Sequence, residues 1–140
     1  MNFMSILMYF TESCSTQSGY EYEQSLHWCY RLVEGNKLNA AQAADFCRLD
    51  GARMIRIDSL ERHHHLTDLL FSRNIDSAWI GGHSAKDDNT FVYEDGTPLS
   101  YFNWLTGSPC YEKYIRIRVV GNFLWENGFG TQPRDFLCER

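Results

Sequence analysis

The sequence predicts an α+β fold in a single domain, with two short helices and antiparallel sheet. Two segments in the first half of the chain carry small or apolar residues at helical spacing. Later segments alternate apolar and polar residues, are bounded by turn residues and follow one another without further helices, the pattern of antiparallel pairing. The 140 residues, 44% hydrophobic and 15% aromatic, suit one packed core, and no linker, repeat or low-complexity run divides them.

Element by element, "GYEYEQSLHWCYRL" (Gly19 to Leu32) alternates aromatic and polar residues, as edge strands do. In "LNAAQAADFCRLDGA", Ala40, Ala43, Ala44 and Cys47 fall on one helical face. Asn39 and Gln42 have the spacing of a capping box, and Gly51 stands just beyond the helix end. Cys47 therefore points inward. "ARMIRI" reads as a short strand. "DSLERHHHLTDLLFSRN" restarts a helix, with Asp58 or Ser59 as cap and Leu66, Leu69 and Leu70 on the buried side. "SAWIGGH" is a strand running into paired glycines. "FVYEDGTPLSYFNW" holds two aromatic runs split by the turn residues Glu94 to Thr97. "YIRIRVVGNFLW" sets Ile115, Ile117 and Val119 against Arg116 and Arg118 and turns at Gly121-Asn122; "DFLCE" closes the chain as an apolar strand.

A net charge of −5, with acids and bases interspersed, gives no reason to expect nucleic acid or an anionic membrane as partner. The five cysteines, at 14, 29, 47, 110 and 138, contain no Cys-x-x-Cys pair, which argues against a zinc knuckle or thioredoxin-type site. Their long separations suit structural bridges in an oxidising compartment, with one cysteine left over. Arithmetic alone leaves fifteen two-bridge arrangements open (five choices of the unpaired residue, three pairings of the rest). The opening "MNFMSILMYF" lacks a basic start and a convincing cleavage site, so residues 1–13 read equally as a signal remnant or an ordered N-terminal extension. Nothing approaches the ~20 apolar residues of a membrane-spanning helix, so no membrane insertion is expected.

"WCY" (Trp28 to Tyr30), Cys47, "WIGG" (Trp79 to Gly82), "NW" (Asn103-Trp104), "LWEN" (Leu124 to Asn127) and "FLCE" (Phe136 to Glu139), in this order, resemble the C-type lectin-like domain over residues 14–140. The resemblance implies that family's long form: two helices, antiparallel sheets, a long loop region, and bridges Cys14–Cys29 and Cys47–Cys138. Cys110 then remains as a free thiol.

The departures from that family are as informative as the matches. Its second core bridge would need cysteines near Ile115 or Arg116 and at Gly130; neither is present, so the long-loop tip should be less constrained than usual. Sugar-binding members hold calcium through an acid- or amide-flanked proline triplet and a Trp-Asn-Asp triplet. Here these read Ser108-Pro109-Cys110 and Trp125-Glu126-Asn127. Calcium takes six to eight oxygen ligands, and the Cys110 sulfur is a poor one. Glu112, Glu126 and Asn127 are the residues that could ligate calcium if any do; no cofactor is expected. Pro109, whose cis form the resemblance associates with calcium, is expected trans, the form favoured by ~0.5–1 kcal/mol. Asp87-Asp88, where some members hold an accessory calcium, reads as a solvated turn.

Other chemistry is weakly signalled. His63, His64 and His65 are consecutive and so fan out around a helix instead of converging on a metal, which reads as a solvated helix face with one histidine partly buried. No nucleophile elbow, P-loop or His-Glu-x-x-His occurs, and catalysis is not expected. Arg116 and Arg118 beside Tyr114 form either a contact patch for an acidic partner or the wet side of an ordinary strand. The expected function is a secreted or extracellular recognition module that binds a protein or glycan without calcium-coordinated sugar. Its ligand face would comprise Ser108, Pro109, Cys110, Glu112, Arg116, Arg118, Glu126 and Asn127. An oligomerising role through a Cys110-linked homodimer is the alternative, and calcium-dependent sugar binding stands third.

Overall fold

The computed structural model describes residues 14, 19–84, 90–105, 113–118 and 124–140. Its strands are β1 (Glu21–Glu23), β2 (Trp28–Leu38), β3 (Arg53–Met54), β4 (Ser77–Ser84), β5 (Phe91–Val92), β6 (Tyr114–Arg118), β7 (Trp125–Gly128) and β8 (Arg134–Glu139). Its helices are α1 (Ala40–Leu49) and α2 (Leu60–Ser72). The strands join in the order β1-β2-β8-β4-β6-β7, with β3 paired to β8 and β5 to β4. The α+β expectation holds, and every strand pair is antiparallel apart from β4 with β8. That parallel contact, Ala78 beside Asp135 and Trp79 beside Phe136, arises because the last strand returns through the middle of the sheet.

Local sequence explains the helices. Asn39 Oδ1 accepts from the Gln42 amide at 2.9 Å, and Gln42 Oε1 accepts from the Asn39 amide at 3.1 Å, closing the capping box. Ala40, Ala43 and Cys47 are buried, and α1 packs on β2, β3 and β8. For α2 the cap is Ser59, whose Oγ accepts from the Arg62 amide at 3.2 Å, while Asp58 forms an ion pair with Arg62 at 3.4 Å. Leu66 and Leu70 are buried as expected; His63 joins them and Leu69 is half-buried.

Two aromatic runs depart from the simplest strand pattern. Residues 19–32 split into β1, a single 3-10 turn (Gln24–Leu26) and β2, because His27 takes a left-handed conformation (φ 48°) that reverses the chain. The run after Gly96 contributes isolated bridges, Val92 with Pro98 and Trp104 with Trp125; Tyr101, Phe102 and Trp104 serve as packing groups instead of strand residues.

Both implied disulfides form: Cys14–Cys29 with Cα atoms 5.7 Å apart and Cys47–Cys138 at 5.5 Å. The second ties α1 to β8 through fully buried sulfurs. Beside it, Glu139 is buried, and its carboxylate accepts from Trp28 Nε1 (3.2 Å), the Arg56 amide (2.5 Å) and the Arg53 guanidinium (2.9 and 3.1 Å). Gly81 explains the first glycine of "WIGG". A Cβ there would sit 2.4 Å from the Ile55 carbonyl oxygen, which accepts the Gly81 amide at 2.7 Å.

Replacing Glu139 by Ala strands four donor groups around a dry site. Urea denaturation should register a loss of about 3–5 kcal/mol. A Cys47→Ala/Cys138→Ala protein should lose ~2–5 kcal/mol in the same measurement, since the bridge closes most of the chain into one loop.

Candidate functional site

Alternation along β6 fixes the candidate ligand face. Ile115 and Ile117 are fully buried on one side, which turns Tyr114, Arg116 and Arg118 to the other. Register places Arg116 opposite Glu126 of β7 on one flank and Trp79 of β4 on the other. Glu126 Oε1 accepts from Arg116 Nη2 at 3.0 Å, and Oε2 accepts from Arg118 Nη1. Burial would raise the Glu126 pKa, but the hydrogen bonds from Arg118 and Arg116 and their charges outweigh it and hold the carboxyl below its ordinary range. Asn127 points inward and is buried. Ser108, Pro109, Cys110 and Glu112 lie outside the described residues, as do the Asp87-Asp88 turn and the peptide at Pro109.

The stem of the long loop is anchored on β7. The Trp125 amide donates to the Asn103 carbonyl at 2.7 Å, and the Leu105 amide donates to the Trp125 carbonyl at 2.8 Å. The Trp104 and Trp125 rings meet edge-on at 5.9 Å. Beneath them, buried His63 bonds through Nε2 to Asn103 Nδ2 at 2.9 Å and packs against Tyr101 and Trp125. An amide nitrogen donates, so Nε2 acts as acceptor and the imidazole is neutral in this arrangement. Burial lowers the His63 pKa, and His64 beside it adds repulsion. The histidine run therefore divides three ways: His63 buried under the loop stem, His64 exposed, and His65 bonded through Nε2 to the Tyr30 hydroxyl at 2.7 Å.

The absent second bridge has a different substitute from the one its spacing suggested. The β6 residue facing Gly130 is Tyr114, not Ile115 or Arg116; a Cβ on Gly130 would lie 2.4 Å from the Tyr114 ring and 2.9 Å from Ala40 Cβ. Sequence reasoning also missed Arg134. Its guanidinium lies over the Trp79 ring at 5.4 Å and bonds to Ser77 Oγ. The parallel β4–β8 contact puts it on the face of Arg116 and Arg118, and no local pattern announces that contact.

The model of the "Lectin C-type domain" family matches residues 36–140. The chain belongs to that family. The secretory phospholipase A2 receptor of Mus musculus is 25% identical over 115 residues, covering 80% of this chain but 8% of the receptor, so this chain corresponds to a small part of that protein. The galactose-specific lectin nattectin of Thalassophryne nattereri is 24% identical over 119 residues, 80% of this chain and 73% of that one. Among solved structures, a calcium-independent type II antifreeze protein shares the fold at TM-score 0.76 and 19% identity, covering 88% of this chain and 92% of that one. The C-type lectin fold thus occurs in forms that do without calcium.

In this member the described residues suit calcium poorly. Both Glu126 oxygens already accept from guanidiniums, so a cation there would displace two arginines or sit beside their charges. Among the described residues no group of three His, Cys, Asp or Glu side chains converges to hold a metal.

The depressed pKa of His63 has a signed consequence. The unfolded chain binds a proton near pH 6.5 while the folded chain resists it, so folding stability falls as pH drops below about 6.5. Urea midpoints measured from pH 7.5 to 5 should fall more steeply for the wild type than for His63→Gln; parallel curves would refute the assignment.

Proposed function

We propose that this C-type lectin domain, taken as residues 14–140, is an extracellular recognition module that binds a protein or glycan ligand without calcium-coordinated sugar. The observation that carries the reading is the engagement of Glu126 by Arg116 and Arg118. An acid on the strand that serves calcium in sugar-binding members is here neutralised from within, so the face presents fixed positive charge in place of a metal. Two disulfides support a secreted or extracellular, oxidising location. No described helix is long and apolar enough to cross a membrane. The galactose-specific relative supports the glycan arm. The mechanism is recognition by a rigid bridged scaffold, with no covalent step and no catalytic residue. Its ligand face comprises Arg116, Arg118 and Glu126 together with the loop residues Ser108, Pro109, Cys110 and Glu112; Asn127, expected on that face, is buried on the other side of β7 and drops out of it.

Calorimetric titration with calcium up to about 10 mM should give no binding heat, and the melting temperature should be equal in calcium and EDTA. EDTA-reversible heat, or a rise in melting temperature with calcium, would restore the calcium-dependent reading.

A further inference from the structure

The part of its sheet face that α1 leaves uncovered carries three arginines around one carboxylate. Arg116 and Arg118 bracket Glu126, and Arg134 approaches from β8 across Ser77 and Trp79. Both arginines nearest Trp79 in register or stacking are incompletely used. The Nε atoms of Arg116 and Arg134 are buried and have no hydrogen-bond partner among the described residues. Leaving such donors unpaired is costly, and most buried polar groups have a partner in protein or solvent. Burial lowers the Arg134 pKa and repulsion by Arg116 and Arg118 adds to it, with Glu126 opposing. The charge pattern is local, because the chain as a whole is acidic at −5.

Arg116 lines a cleft of about 180 Å³ together with Trp79, Phe129, Gly130 and Gln132 among others, and Arg134 stacks on the Trp79 that forms part of its wall. Its floor is held by Trp79 Nε1 donating to the Gln132 carbonyl at 3.2 Å. At its lip Phe129 is 74% exposed, an apolar ring beside a basic hollow. A planar guanidinium offers paired N–H groups to an oxyanion, and an aromatic ring offers a flat face to the C–H side of a sugar. Phe129 tips the choice between ligand classes. An acidic peptide that docks by adding a strand finds the outer side of β7 at Trp125 already bonded to Asn103 and Leu105, whereas the arginines and Phe129 lie over the sheet face and the following loop.

We propose that Arg116, Arg118 and Arg134, with the Trp79–Gln132 cleft and Phe129, form a subsite for a sulfated saccharide. The sulfate lies among the guanidiniums and a pyranose ring against Phe129. Glu126 tempers the site: it keeps Arg116 and Arg118 in place and subtracts one charge from what the anion meets. This assignment rests on the recognition-module reading and names a ligand class for its face.

The test is affinity for a sulfated heparin-derived hexasaccharide in about 50 mM salt, against a non-sulfated hyaluronan fragment, inorganic sulfate and a poly-glutamate peptide. Wild type should bind the sulfated hexasaccharide and lose affinity as salt rises, with the non-sulfated fragment and the peptide at least about tenfold weaker. Inorganic sulfate should compete weakly, since it lacks the ring that meets Phe129. Arg134→Gln, which leaves the Glu126 pairs intact, should bind about tenfold more weakly. Glu126→Gln should bind a few-fold more tightly, an outcome that a destabilised or misfolded variant does not produce. Absence of wild-type binding, equal affinity in both variants, or preference for poly-glutamate would overturn the subsite. Inorganic sulfate binding as well as the hexasaccharide would also overturn it, reducing the site to a generic anion patch. These results are separable from the calcium titration: calcium heat would sink the calcium-free reading and leave a sulfate-binding subsite standing.

Discussion

The position of β8 is the constraint from which the rest of the structure follows. The last strand of the domain lies inside the sheet, between β2 and β4 and against β3, so the final element of the fold is among the most buried. A terminal strand frays unless it is tied down. Here it is tied three ways within three residues: by the Cys138 bridge to α1, by the Glu139 carboxylate taking donors from β2 and the segment at β3, and by the Arg140 amide donating to the Cys29 carbonyl at 3.0 Å. Glu139 is buried charge and would be expensive alone. With Arg53 paired to one oxygen and neutral donors on the other, its cost is offset where the strands meet.

That central strand also builds the candidate site. Because β8 lies parallel to β4, Phe136 stands beside Trp79, and Trp79 in turn stands beside Arg116, so one row crosses the sheet from the α1 core to the open face. Phe136 meets Phe46 of α1 edge-on at 5.2 Å and is fully buried, whereas Arg116 and Glu126 at the far end are half-exposed. The same row is thus core at one end and binding surface at the other. Arg134 reaches that surface only because the strand that carries it is held in the middle of the sheet.

Much of this was legible in the sequence for physical reasons. The capping box at Asn39 and Gln42 and the inward Cys47 follow from helical spacing, and the alternation of β6 from a two-residue period. Gly81 marks a close backbone approach that no side chain could share. The disulfide pairing came from resemblance, since cysteine arithmetic could not choose among arrangements. What stayed illegible depended on partners distant in sequence. Arg116 and Arg118 read as either a contact patch or the wet side of a strand, and only register sets Glu126 between them. Arg134 carried no signal in its local sequence. The histidine run read as a solvated helix face with one histidine partly buried, and which one was settled by long-range packing that carries His63 under Trp125 and Asn103 while His64 remains in solvent.

Gly130 shows how a missing covalent constraint can be replaced. The family pattern places a bridge between this loop and β6, and here non-covalent contacts hold the same two segments. Gly130 has a left-handed backbone (φ 84°), its carbonyl accepts the Ala40 amide at 2.9 Å, and the Tyr114 ring lies where any side chain would begin. Tyr114 also packs edge-on against Trp79 at 6.5 Å, so the contact continues into the row that carries Arg116. The hydrogen bond ties the loop to α1 and is worth about 1 kcal/mol net, while the half-buried Tyr114 ring contributes less than the ~1.5–3 of a fully buried side chain, so the contacts fall short of the upper part of the ~2–4 expected of a disulfide. The two solutions differ in what they constrain. A disulfide narrows the unfolded ensemble and persists when the loop opens, whereas the Tyr114–Gly130 contact exists only in the folded arrangement. The floor of the arginine cleft therefore keeps its shape only while α1, β6 and the loop after β7 remain packed together.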